Sequence, residues 1–339
     1  MIKNISLLFF ILFFLLNLSC SIAPIEASGA DGKTGSLKLP PGFTPPAAKK
    51  LTHSGGGIVV DMYARDFSQG NLVYCEVYAA ESKELELKSA VYGKMSLALT
   101  KKTWGYRTFL PIGPEAEPGK KTIVFSYIID GKTLTETVVF TAAKTDFPVS
   151  RTPLDLGKYS NQGSEAKPEI VAFIKESKKK KDEAFASREN DLIGSSFSHP
   201  RDLHYITSQF WSKRIYQRYK IENKKRIRLK DTEKIHRGTD LRGETGTPAF
   251  AMADGKVVLA DLLYYEGNMV VIDHGNKLFS YYMHMSALKV KKGDMVKAGD
   301  QIGAVGSTGL STAAHLHVSM ILNWIELDPL SLLSLPVRN

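Results

Sequence analysis

The spacing of apolar residues changes several times along this chain, and each change marks a different kind of segment. Residues 28–50 carry Gly, Pro, Ser and Lys with no regular apolar period, including Leu39-Pro40-Pro41-Gly42 and Pro45-Pro46, and read as an extended linker. Over residues 51–145 the pattern becomes short β-rich runs, among them Ile58-Val59-Val60-Asp61-Met62-Tyr63, Leu72 to Tyr78, Thr122 to Tyr127 and Thr135 to Thr141. Asp130-Gly131 supplies a hairpin-type turn and Pro118-Gly119 precedes a strand, so this stretch is expected to form a small β-sandwich of immunoglobulin-like type.

Residues 146–198 read as a polar, partly helical connector: between Pro168 and Asn190 the apolar residues fall at helical spacing, predicting one or two short helices. Its run Lys178-Lys179-Lys180-Lys181 is expected to be a solvated face. Residues 199–339 should be almost all strand. Within them, residues 246–257 and 293–303 are weakly alike, as expected for two hairpins of an antiparallel barrel-sandwich hybrid. The predicted fold class is therefore mainly β, a sandwich followed by that second β domain.

The candidate chemistry lies in this last region. His315-Leu316-His317 sits where small or polar residues alternate with apolar ones, so the two histidines share one face of a strand. His236 and Asp240, four apart, share a face on a strand or a helix, and Gly238 and Thr239 between them favour the extended form. Neutral imidazoles and a carboxylate brought to one point suit Zn²⁺, with three protein ligands leaving a position open. Met283-His284-Met285 offers a fifth partner. By contrast, His274 between an apolar strand and a glycine is expected to be a hydrogen-bonded turn residue, and His53, His199 and His204 lack metal spacing. The glycine-rich 303–309 lacks the Gly-Lys-Ser/Thr ending of a phosphate loop and reads as tight turns.

The run from His236 to Leu333 resembles the catalytic domain of lysostaphin-type (LytM-type) zinc metallopeptidases, which cleave peptidoglycan. The signature H-x-x-x-D appears as His236 to Asp240, the lone histidine as Tyr282-Met283-His284, and H-x-H as His315 to His317. Gly246-Thr247-Pro248, Ala253-Asp254-Gly255, Ile272-Asp273-His274-Gly275 and Asp328-Pro329 match as well. The resemblance implies His236, Asp240 and His317 as ligands of one Zn²⁺, with His284 and His315 beside the attacking water and either one serving as base. It also implies a peptidoglycan endopeptidase, or a non-catalytic regulator of another cell-wall hydrolase on the same fold. Trp211 and Lys213-Arg214 stand where the family more usually has a glycine and arginines. A basic insert from Lys224 to Lys230 precedes His236, and Trp324 takes a usual glycine position. These departures bear on substrate preference.

Lys3 and the apolar run from Leu7 to Leu16 read as a secretory signal over residues 1–27, too short to span a membrane. The chain is therefore expected to be exported to the cell envelope. Cys20 after Asn17-Leu18-Ser19 resembles a lipoprotein processing site and is preferred, as a lipid anchor to the membrane, over cleavage after Ala27. Cys75 is then the remaining thiol, so no intrachain disulfide is expected, and its alternation with Val73 and Val77 marks it as a buried apolar residue. A formal charge of +10 fits anionic envelope polymers, and with no nucleic-acid-binding signature beside the basic runs, nucleic acid is not an expected partner.

Overall fold

Alternation of inward apolar and outward polar residues over 49–142 folds into two packed antiparallel sheets in the computed structural model, which describes residues 39–339 except 82, 154–166, 195, 218, 223–224, 229, 337 and 339. The signal segment 1–27, Cys20 within it and most of the linker thus lie outside the described residues. One sheet has the order β1-β2-β3-β7-β6, from β1 (Lys49–Gly55), β2 (Ile58–Ala64), β3 (Asn71–Ala79), β6 (Thr100–Lys102) and β7 (Gly105–Ile112). The other has the order β5-β4-β8-β9, from β4 (Leu85–Tyr92), β5 (Met95–Ser96), β8 (Gly119–Ile129) and β9 (Lys132–Ala142). On β8 and β9 every second residue, including Ile123, Phe125, Tyr127, Val138 and Phe140, points into the space between the sheets. Cys75 joins that core, where burial pushes its thiol pKa up and keeps it unreactive.

β3 is buried on both faces. Val73, Cys75 and Val77 enter the sandwich core, whereas Leu72 and Tyr74 enter a second core with Leu330, Leu332 and Leu333 of the 3-10 helix Pro329–Ser334. Backbone joins the same surfaces, Leu72 N–H donating to Ser331 Oγ at 3.2 Å and Asp328 N–H to the Gly70 carbonyl at 2.8 Å.

Beyond β10 (Val149–Pro153) the connector forms one helix, α1 (Pro168–Phe185), with proline in its first turn, where a missing N–H costs nothing. The next strands are β11 (Ile206–Ser208), β12 (Lys213–Gln217), β13 (Tyr219–Glu222), β14 (Lys225–Arg228), β15 (Thr232–Ile235) and β16 (Thr239–Arg242). They are followed by β17 (Pro248–Phe250), β18 (Gly255–Leu263), β19 (Gly267–Asp273), β20 (Leu278–Met285), β21 (Ala287–Leu288), β22 (Met295–Val296), β23 (Gln301–Ala304), β24 (His315–Leu322) and β25 (Ile325–Leu327). The basic insert is thus a two-stranded excursion, β13 on β14, between β12 and β15.

The main sheet runs β11-β16-β24-β20-β19-β18-β22, with β25 on β24, and no closed barrel forms among the described residues. The two alike stretches, 246–257 and 293–303, do not make separate hairpins as expected. They pair with each other, Pro248 to Phe250 against Gln301 to Ala304 and Gly255-Lys256 against Met295-Val296, a non-local pairing that local turn signals could not reveal.

This sheet is covered on both faces. Leu241, Leu316, Val318, Met320, Val270, Ile272 and Tyr282 point into the main core. On the opposite face, Leu259, Met269, Val271 and Phe279 pack under Ala184 and Phe185 of α1, with Tyr281 and Met283 partly buried against them. The lysine run is correspondingly not just a solvated face. Lys178 and Lys179 make helical i,i+4 pairs in solvent, but Lys180 reaches Asp261 at 2.9 Å and Lys181 pairs with Glu266, fastening α1 to the β18–β19 hairpin.

His274 behaves as read from the sequence: it is buried, its Nδ1 donating to the Asp254 carbonyl at 2.7 Å and its Nε2 lying 2.8 Å from Ser280 Oγ. Trp211 (φ 57°) and Trp324 (φ 67°) both occupy the left-handed region, a backbone conformation that glycine adopts at least cost.

Arg107 of β7 is 1% exposed and donates twice to the Asp191 carboxylate, at 2.5 and 2.7 Å, and to the Ile193 carbonyl. This joins the sandwich to the segment after α1. Asp191→Ala strands a buried guanidinium, so unfolding in urea is expected to show a loss of about 3–5 kcal/mol at unchanged slope; a loss under 1 kcal/mol would show that water reaches Arg107.

Candidate metal centre

Asp240 on β16 and His317 on β24 are direct cross-strand neighbours, and Met283 on β20 faces His317 from the other side. Cross-strand partners share a face, which here is the one that α1 partly covers. His236 lies in the loop between β15 and β16, anchored by its N–H to the Ser212 carbonyl and by its own carbonyl, which accepts from Trp211 N–H. The chain turns back at Gly238, where a Cβ would fall 2.2 Å from Ser319 Oγ and 2.5 Å from His317 Nε2, so only glycine lets the loop press against β24.

Three atoms converge there. His236 Nε2 is 3.0 Å from Asp240 Oδ1 and 3.0 Å from His317 Nδ1, and His317 Nδ1 is 2.8 Å from Asp240 Oδ1. All three side chains are buried. The hydrogen bonds on their far sides decide where protons sit. His236 Nδ1 donates to the Gln209 carbonyl at 3.0 Å, leaving Nε2 as the bare nitrogen. Ser319 Oγ donates to the Arg237 carbonyl at 3.0 Å and so accepts from His317 Nε2 at 2.8 Å, leaving Nδ1 bare. Two imidazole lone pairs and a carboxylate oxygen therefore face one point, each separation being less than twice a metal–ligand bond of about 2.0–2.1 Å, so one ion can touch all three. This donor set fits a divalent metal ion.

The electrostatics agree. Burial alone would raise the Asp240 carboxyl, but the His236 and His317 rings packed against it outweigh burial and hold it well below the usual carboxylate range. Burial pushes His317 down to about 4 against the pull of Asp240, so the ring stays neutral at neutral pH.

His284 and His315 flank the cluster. His315 Nε2 lies 3.6 Å from Asp240 Oδ1 while its Nδ1 donates to the Ala313 carbonyl at 2.8 Å. The His284 ring centre is 4.9 Å from that of His315 and 6.1 Å from that of His317, and its Nδ1 donates to the Thr308 carbonyl at 2.9 Å. Both rings thus keep Nε2 free. Burial, then the neighbouring His317 and His315, push His284 down to about 3.

The structure thus gathers all five residues singled out in the sequence, while His199 and His204 pair with each other at 3.0 Å outside the cluster. Sequence reasoning missed the groups behind them. Arg214 donates to Asp240 Oδ2 at 2.6 Å and to Ser208 Oγ at 2.7 Å, occupying the carboxylate oxygen that the histidines leave. In the sequence, Arg214 stands out only as part of Lys213-Arg214, a departure from the pattern that the chain resembles. Ser319 could have been found from its spacing, two residues beyond His317 on the same strand face.

The profile of Peptidase family M23 matches residues 234–329, which contain all five residues. Peptidoglycan DD-endopeptidase ShyA of Vibrio cholerae is 37% identical over 138 residues, 38% of this chain and 32% of its own length. Glycyl-glycine endopeptidase ALE-1 of Staphylococcus capitis is 43% identical over 90 residues, 26% of this chain and 25% of its own. The chain thus spans about a third or less of the length of these two relatives. A crystal structure assigned to peptidase M23 from Pseudomonas aeruginosa covers 79% of this chain and 96% of its own at a TM-score of 0.54 and 20% identity, a likeness of fold. Residues 234–329 are a peptidase family M23 domain.

Proposed function

We propose that this protein is an exported zinc endopeptidase that hydrolyses peptide bonds in peptidoglycan stem peptides or cross-links, contributing to cell-wall remodelling. The observation that carries the reading is the convergence of three proton-free donor atoms, from His236, Asp240 and His317, beside two further imidazoles with free Nε2 atoms. The substrate class comes from the relatives whose names specify peptidoglycan and glycyl-glycine bonds. A non-catalytic regulator on this fold has no need of a complete set, and here none of the five residues is missing.

His236, Asp240 and His317 would hold the zinc, which supplies carbonyl polarisation and lowers the pKa of water from about 15.7 to about 7. Arg214 fixes the Asp240 carboxylate so that Oδ1 alone turns to the site. His284 and His315, each with Nε2 free, accept a proton from the attacking water or pass one to the leaving amine. Anionic charge developing beside them raises their proton affinity when it is needed. In this reading the sandwich of residues 51–145 and the connector of 146–198 form a scaffold around a peptidase unit of 199–339.

Purified sacculi incubated with the mature protein should release muropeptides whose masses identify the bond cut, and a chelator should stop the release. Metal analysis should find one zinc per chain, with most of it lost in His317→Ala and in Asp240→Ala, because two donors hold zinc poorly; full occupancy in both variants refutes the ligand set. His284→Ala and His315→Ala should keep zinc while kcat falls about 10²- to 10⁴-fold. Zinc loss in either variant would make that histidine a ligand, and wild-type cleavage in both would remove them from the chemistry.

The envelope location rests on the leader, and no helix among the described residues is long and apolar enough to cross a membrane. With Cys20 as the lipid-bearing residue, Cys20→Ser should move the protein from the detergent phase to the aqueous phase, since one acyl chain contributes about 0.8 kcal/mol per buried CH₂. A mature N-terminus at Ser28 in the wild type would refute the anchor.

A further inference from the structure

His284 carries a backbone conformation that a side chain adopts at a cost. Its φ is 65°, at an irregularity in the β19–β20 pairing where the register shifts between Asn268 and Val270. Such a residue keeps its geometry only if its surroundings hold it. Here the tip of the β18–β19 hairpin does so: His284 N–H donates to the Glu266 carbonyl at 2.9 Å. Thr308, whose carbonyl accepts from His284 Nδ1, is itself held by that tip. Its Oγ1 accepts from Asn268 N–H at 2.9 Å and donates to the Met285 carbonyl at 2.7 Å. Gly267 packs so close to Thr308 that a Cβ would lie 2.2 Å from Oγ1. Residues 266–268 therefore set both the backbone and the ring of His284.

That tip is fastened from outside the M23 domain. Tyr264 N–H donates to Ser177 Oγ of α1 at 3.0 Å, the Tyr264 ring meets Phe173 edge-on at 5.7 Å, and Lys180 reaches Asp261 at 2.9 Å. At Glu266 itself, whose carbonyl holds His284 N–H, Lys181 Nζ donates to Oε1. The Glu266 side chain is 12% exposed, and its Oε2 is buried without a hydrogen-bond partner among the described residues. A carboxylate so placed depends on its cation, because losing one partner leaves an uncompensated buried charge.

We propose that Lys181 is a positioning residue for the active site, acting through Glu266 on His284, so that the connector helix completes the peptidase site. This rests on the reading of His284 as a proton-handling group. Lys181 touches no substrate; it fixes the direction of the free Nε2 of His284, and misdirection lowers turnover more than binding.

The test compares Lys181→Met, Lys181→Arg and Glu266→Gln with wild type in the full mature chain, measuring zinc content, melting temperature, and kcat and KM on a soluble cross-linked muropeptide. Lys181→Met is expected to lower kcat on the order of tenfold, the scale of other outer-contact losses, with zinc and KM unchanged. Lys181→Arg should restore most of it. On a His284→Ala background, Lys181→Met should cost nothing further, since the residue it positions is gone. Side-chain ¹⁵N spectra of the metal-free protein should show the His284 ring locked with Nδ1 protonated in wild type, and averaging between tautomers in Lys181→Met. Wild-type kcat in Lys181→Met, an equal further loss on the His284→Ala background, or a loss that tracks zinc would each overturn the role of Lys181. Full turnover in His284→Ala itself would overturn the reading of His284 and this inference with it, whereas a slow His284→Ala beside an unimpaired Lys181→Met would overturn only the inference.

Discussion

The site depends on one register. Asp240 and His317 meet because β16 pairs with β24 so that these two residues are opposite each other. A slip of one residue would carry the aspartate to the apolar face and leave the histidines facing Leu241 or Thr239. The sheet guards against that slip chemically: Leu241, Leu316 and Val318 are fully buried in the main core on the other face, and exposing them would cost about 1.5–3 kcal/mol each. Gly238 and the Thr207 hydroxyl, which donates to the Asp240 carbonyl at 3.2 Å, add close-range constraints that a shifted strand could not meet.

A second principle organises the side chains on that register. Each imidazole of the cluster is tied by its far nitrogen to an oxygen, a backbone carbonyl for His236, His284 and His315 and a serine hydroxyl for His317. These bonds settle the tautomer and the ring direction together, so the protein itself specifies which nitrogens are bare. The depressed proton affinities of His284 and His317 act in the same sense, burial outweighing the pull of Asp240 and keeping the rings neutral.

Much of this was legible in the sequence because it depends on short periods. His315 and His317 share a face by strand alternation, and so does Ser319, whose role could have been inferred the same way. The β runs of 49–142 were equally plain in the alternation of residues such as Ile123, Phe125 and Tyr127. What was not legible depends on contacts between distant segments. The pairing of Pro248–Phe250 with Gln301–Ala304, the Arg214 bond to Asp240, and the descent of Lys180 and Lys181 onto the β18–β19 hairpin join residues that no local pattern connects. Trp211 and Trp324 fall between these cases: both stand out in the sequence, but only the structure shows their left-handed backbone.

The two-sided burial of β3 has a thermodynamic consequence. A strand that gives Val73, Cys75 and Val77 to one core and Leu72 and Tyr74 to another cannot leave either core without opening both. The sandwich and the peptidase domain therefore share their cooperativity: neither has a low-energy partial opening that passes through β3, and amide protons on both sides of that strand should exchange through the same rare global event. The unit that opens cooperatively is then the pair of modules, even though all five residues of the site lie in only one of them.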